Sequence, residues 1–257
     1  MHPIFYYIII YLLLGAIGMY LANKKAEKKV KRQRWLKYCT YVAIIGIVLA
    51  AIFLDSFEVV AVIIIVAGLY EMVKANTSKW ISKTEIAILS ILVYCLIAFG
   101  FWKFTDTFKQ PFLLFIFFQV FVFDAFCQVT GQLIGRHALA PKISPTKTIE
   151  GLAGGWILCI ISAMLASSWI KYTIVAAAFF GFITGLSSFA GDMLGSYFKR
   201  VANIKDFSNL LPGQGGFLDR FGSLMMTALL YYFLQLNGYR FQFKIFELLH
   251  PIIIEHG

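Results

Sequence analysis

"MHPIFYYIIIYLLLGAIGMYLANKK", Met1 to Lys25, begins with an apolar run that stops against lysines. The apolar residues precede the basic cluster, the reverse of a signal peptide's charged start, and no small-residue cleavage site follows them. The stretch therefore reads as a retained first membrane span. If so, the rest of the chain should repeat the pattern.

It does. Of 257 residues, 60% are hydrophobic and 14% charged, with a mean hydropathy of +0.78. A soluble domain is roughly half apolar and a quarter charged, so this composition excludes an ordinary soluble protein. Runs long enough to cross a hydrocarbon core of ~30 Å lie at 4–22, 36–54, 57–73, 85–102, 111–130, 151–169, 173–190 and 221–239. They are continuous rather than alternating, which favours helices over strands. The expected fold is an all-α integral membrane protein of about eight transmembrane helices. It divides into a four-span hydrophobic region, 1–110, and a region carrying the polar motifs, 111–257. The tail "FQFKIFELLHPIII" (241–254) is expected to lie in the membrane interface.

Lys and Arg set the orientation. With the N-terminus outside, eighteen of the 23 basic residues fall on the inner side and five on the outer, a strong positive-inside bias. The net charge of +10 then faces anionic lipid and requires no nucleic acid. Cys39, Cys95, Cys127 and Cys159 lie in apolar runs without C-x-x-C spacing, so they read as buried small hydrophobes rather than a disulfide or zinc framework.

Two polar segments stand out on the cytoplasmic side. The first is "GDMLGSYFKRVANIKDFSNLLPGQGGFLDRFGS", Gly191 to Ser223. Asp192 and Asp219 flank it, and hard oxygen donors of this kind suit Mg²⁺, which takes one or two carboxylates together with phosphate and water. Lys199, Arg200, Lys205 and Arg220 can neutralise phosphate oxygens. "LPGQGG" lets backbone N–H groups converge on an anion. A solvated loop with an ordinary turn accounts for the same residues, and types and spacing leave both readings open. The second segment is "GRHALAPKISPTKTIEGLAGG", Gly135 to Gly155, whose two prolines exclude a regular helix over 141–145. It offers Ser144 and Lys147. Glu150 is expected to favour its own helix N-terminus, His137 has no partner evident in sequence, and Glu71 is expected to pair with Lys74. Asp124 lies inside the fifth span, where a charge costs at least ~2.5 kcal/mol unless it is partnered.

These two segments resemble the phosphatidate cytidylyltransferases, or CDP-diacylglycerol synthases. That family's signature runs approximately S-x-x-K-R-x(4)-K-D-x(5)-P-G-H-G-G-x-x-D-R-x-D. Ser196, Lys199, Arg200, Lys205, Asp206, Pro212, Gly213, Gly215, Gly216, Asp219 and Arg220 take their places in it. An upstream block matches through Asp124, Gly131, Gly135, Leu139 to Pro145, Lys147, Thr148, Glu150 and Gly151. The resemblance covers Asp124 to Ser223, and it departs at Gln214 for His, at Gly222 for the last Asp, and at "DAFCQ" in the upstream block.

The resemblance implies transfer of CMP from CTP to phosphatidic acid, giving CDP-diacylglycerol and pyrophosphate, in a multi-pass protein of the inner membrane whose site faces the cytoplasm. It assigns catalysis to Asp192, Asp219, Lys205 and Arg220. Substrate binding falls to Ser144, Lys147, Ser196, Lys199, Arg200, Gly215 and Gly216. Mg²⁺, with a second cation as an open option, would be held by Asp192 and Asp219, with Asp124 behind or beside it. The implied partners are CTP, phosphatidic acid and membrane lipid; a homodimer stays open. The departures motivate one alternative, a non-catalytic membrane component that binds lipid phosphate or nucleotide. A transporter is disfavoured, because the polar residues gather at one face rather than at mid-membrane.

Overall fold

The computed structural model describes residues 4–24, 26–77 and 84–236. They form α1 (Ile4–Asn23), α2 (Lys28–Phe53), α3 (Phe57–Asn76), α4 (Thr84–Thr107), α5 (Gln110–Ile134), β1 (Ala138–Ala140), β2 (Ser144–Thr148), α6 (Ile149–Leu165), α7 (Ser167–Ile170), α8 (Ile174–Val201) and α9 (Phe217–Leu236). This is an all-α membrane protein. Helices α2, α4, α5 and α8 are each long and apolar enough to cross a bilayer, and Tyr6–Leu21 and Ile149–Leu165 are shorter apolar helices. Each of the eight expected spans meets one long helix. The sixth breaks at Ala166, where α6 ends and short α7 begins. The tail 241–254 lies outside the described residues.

α5 is the central helix. Leu113 to Phe118 with Val120, Phe121, Val122 and Phe123 are nearly all buried, so it is apolar on every side, as an interior helix must be. Helices α1, α2, α6, α8 and α9 surround it, and α3 and α4 join through α9. One core draws residues from both α1–α4 and α5–α9. Apolar side chains also cover the outside: Leu13, Val66 and Leu89 are 57%, 61% and 62% exposed. In water such a surface would aggregate; in hydrocarbon it is the solvated face. Between helices there is then little hydrophobic driving force, and close packing takes over. Gly155 lets α6 lie against α5, since a Cβ there would sit 2.2 Å from Cys127 Sγ.

The expected cysteine burial holds for Cys159 alone. Cys39 and Cys95 are exposed and Cys127 is intermediate, which a thiol on a lipid-facing helix surface tolerates.

Local structure at the polar end is more regular than the spans imply. Basic residues from Lys28 to Lys37 form the first turns of α2. The 141–145 prolines sit in an antiparallel β1–β2 hairpin, Ala138 facing Thr148 and Ala140 facing Ser144. Helix α8 continues to Val201 and α9 starts at Phe217, so Asp192, Ser196, Lys199 and Arg200 are helical. The irregular segment shrinks to 202–216.

Candidate functional site

The site lies where α8, packed against α9, meets the β-hairpin. Gly191 makes the α8–α9 approach possible: a Cβ there would be 2.7 Å from Met226 Cβ and 2.9 Å from the Gly222 carbonyl oxygen. Asp192 follows Gly191, and Asp219 lies one turn before Gly222, so the two carboxylates occupy neighbouring turns of touching helices.

Each carboxylate already carries a cation. Lys147, at the end of the hairpin, contacts Asp192. Lys199 Nζ lies 2.5 Å from Asp219 Oδ1. Asp192 is open, with its side chain 38% exposed, whereas that of Asp219 is 2% exposed. Asp219 Oδ2 accepts from the N–H groups of Phe207 and Gly216, both at 2.9 Å. Gly215 is needed for this loop: its φ is +87°, and a Cβ would meet Asp219 Oδ2 at 2.8 Å. Asp219 thus organises the 207–216 turn while presenting its charge to Lys199.

The facing segments converge through two links. One is Lys147 on Asp192; the other is Arg200 Nε, which donates to the Ile143 carbonyl at 2.9 Å. Asp124 lies behind them within electrostatic reach of Asp192, Lys147 and Arg220, and accepts from Ser188 Oγ at 3.2 Å. Ser144 and Ser196 are both buried. Lys205 is exposed on the loop. Arg220 Nε donates to the Gln214 carbonyl at 2.9 Å, which ties α9 to the turn.

Two expectations about single residues change, those for Glu71 and His137, while Glu150 sits in the first turn of α6 as expected. Glu71 does not pair with Lys74. It is fully buried and accepts from Ser208 Oγ at 2.5 Å and from the Phe217 and Leu218 N–H groups at 2.9 Å each. It therefore caps α9 from α3, because a buried carboxylate finds more stabilisation at unsatisfied helix N–H groups than beside a solvated lysine. His137 has a partner, Glu150, with Nδ1 2.5 Å from Oε1. Glu150 also accepts from the Arg136 and His137 N–H groups, while Thr148 caps α6 through Gly151 N–H. The Arg136 N–H, followed by the His137 ring, holds the Glu150 carboxyl down at about 2.

Gln214, which stands where the resemblance expects His, is buried and donates from Nε2 to the Lys37 carbonyl at 2.5 Å. Thr40 Oγ1 donates to Pro212 O at 3.0 Å. The amide thus fastens the glycine turn to α2. Neither Glu71 nor this α2 anchor was found from sequence; the signal available was an ionisable residue inside an apolar run, with its partner 137 residues away.

The profile of the "Cytidylyltransferase family" matches residues 2–236. The chain belongs to the cytidylyltransferase family. Among curated relatives, a phosphatidate cytidylyltransferase of Rickettsia bellii is 28% identical, over 83% of this chain and 94% of its own. Those of Staphylococcus saprophyticus and Aquifex aeolicus are 38% and 35% identical, over 45% and 49% of this chain. Those two alignments span 45% and 48% of the relatives, so the chain covers about half the length of each. The family profile reaches back through α1–α4, beyond the motif region where the sequence resemblance lies.

Among the described residues no group of three or more His, Cys, Asp and Glu converges on one point. Mg²⁺ does not need one; it takes one or two carboxylates with phosphate oxygens and water. The donor set of this family member fits that requirement. It has an open carboxylate at Asp192, a second on the touching helix, and lysines that can transfer to phosphate once an ion neutralises the acids.

Proposed function

We propose that the protein transfers CMP from CTP to phosphatidic acid or a related lipid phosphate, giving CDP-diacylglycerol and pyrophosphate. The observation that carries this reading is the convergence of the motif segments: the hairpin's Lys147 on Asp192 of α8, with Lys199 paired to Asp219 on α9, the helix packed against α8 at Gly191. A triphosphate needs cationic side chains around a carboxylate pair, and the convergence supplies both.

In the reaction an oxygen of the lipid phosphate attacks the α-phosphorus of CTP. The bond from that phosphorus to the β-phosphate's bridging oxygen breaks, and pyrophosphate leaves with the electron pair. No covalent enzyme intermediate is involved. Mg²⁺, held by Asp192 and Asp219 with Asp124 behind, would offset charge on the triphosphate. Lys147, Lys199, Lys205, Arg200 and Arg220 bind and orient phosphate oxygens, which places the reacting atoms together and stabilises charge as it develops. Ser144 and Ser196 complete the cradle, whereas Gly215 and Gly216, expected to bind substrate, shape the turn instead: the Gly216 N–H donates to Asp219 Oδ2 and the Gly215 N–H to the Leu211 carbonyl. The site faces the cytoplasm of a bacterial inner membrane in this reading, supported by the basic bias of that end.

Position-specific labelling tests it. Purified protein in lipid vesicles with phosphatidic acid and Mg²⁺ is given CTP labelled at either the α- or the γ-phosphorus. The α-label is expected to enter the lipid phase and the γ-label to stay in water as pyrophosphate. Both labels remaining in water would overturn the proposal.

A further inference from the structure

An apolar cavity of about 280 Å³ opens beside the site. Its floor is α9, through Leu218, Gly222, Met225 and Met226; α4 and α8, which both pack on α9, form its walls. It is at the lower end of the ~300–1,000 Å³ usual for ligand sites, too small for a whole lipid. From Leu218 to Met226 it runs about 12 Å along the helix axis, enough for the upper part of one chain.

We infer that this cleft receives one acyl chain of the lipid phosphate, resting on the reaction proposed above. Three features identify the occupant. The wall residue Leu89 is 62% exposed and Leu194 39%, on helices whose outer faces meet hydrocarbon, so the cleft is open sideways to lipid. Its polar end is made by Phe207 and Leu218, and the Phe207 N–H donates to Asp219. Lys199 Nζ stands 5.6 Å from the Phe207 ring centroid, so a chain lying in the cleft brings its phosphate to a lysine. Finally, the slot is kept open by missing side chains: a Cβ on Gly222 or on Gly195 would meet no atom within 4 Å. Gly222 is the position where the family signature carries Asp. With Gly there, the path beside Asp219 is apolar and unobstructed.

Little hydrophobic energy is gained by moving a chain from bilayer to cleft, since both are apolar. Selection is therefore steric, and filling the slot should exclude the chain. The full-length protein is placed in nanodiscs containing phosphatidate with a photoreactive diazirine on one acyl chain, irradiated, and its peptides are analysed by mass spectrometry. Label is expected on the cleft faces of α4 and α8, reduced about tenfold in Gly222→Leu and in Gly195→Leu, the scale of steric discrimination in apolar pockets. Two substitutions on different helices guard against a local folding fault in one. Label spread equally over outer faces such as Val62 and Val66, or unchanged by both substitutions, would overturn the inference. Labelling needs no CTP, so the two readings fail separately. Selective labelling without CMP transfer would sink the reaction and keep the cleft. Transfer with indifferent labelling would sink only the cleft.

Discussion

Asp192→Asn is expected to lower CMP transfer about 10²–10³-fold, the usual loss when a group that stabilises transition-state charge is removed. The bundle should nevertheless stay folded. Asp192 is partly exposed and, among the described residues, pairs with Lys147, also partly exposed, and such pairs contribute about 1 kcal/mol or less. The separation of the two effects is what makes the substitution informative. Transfer is measured with α-labelled CTP, and folding by thermal unfolding in the same detergent. Near-normal turnover in a folded Asp192→Asn protein would remove Asp192 from the site. Asp219→Asn is a poorer probe, because Asp219 also accepts from Phe207 and Gly216; its loss would disorder the turn along with the chemistry.

Glu71→Ala should have the largest effect on stability. It leaves the N–H groups of Phe217 and Leu218 and the Ser208 hydroxyl without their acceptor in a buried position. At ~1–3 kcal/mol per unsatisfied buried donor, the three donors give a cost on the order of 3–9 kcal/mol. Because α9 begins at these N–H groups and carries Asp219 and Arg220 in its first turn, transfer should fall with stability. Glu71→Gln keeps one acceptor oxygen and should recover part of both. Thermal unfolding of the two variants beside the wild type checks this. A Glu71→Ala protein as stable as the wild type would show that α9 does not depend on α3 for its cap.

Much of the fold was legible because lipid imposes a simple rule: backbone polar groups must be satisfied within each span, so apolar runs of the right length become helices. Among the described residues, the eight long helices coincide with such runs. What hydropathy misses is where a helix outlasts its apolar stretch. α8 continues through Asp192, Lys199 and Arg200, because charged residues at the membrane surface keep helical hydrogen bonds and are solvated there. The hairpin at 138–148 was visible only as an interruption, since proline says what cannot form and not what does. Of the site, Asp192, Lys147 and Lys199 were named from residue type and motif spacing. Glu71 was not, because its partners lie on the far side of the sequence and its spacing to Lys74 offered a local alternative. Gln214 was read through the histidine it replaces; its own role, a hydrogen bond to the Lys37 carbonyl, depends on a contact between distant helices that no local pattern encodes.

If Asp192 and Asp219 hold the cation proposed above, it lies at the polar end of the bundle against the phosphates of CTP. Anomalous diffraction from crystals grown with Mn²⁺ and CTP locates such an ion directly. A peak beside the two carboxylates is expected, with Asp124 behind it and the lysines moved onto phosphate. A peak elsewhere, or carboxylates still closed on Lys147 and Lys199 while CTP is bound, would contradict it.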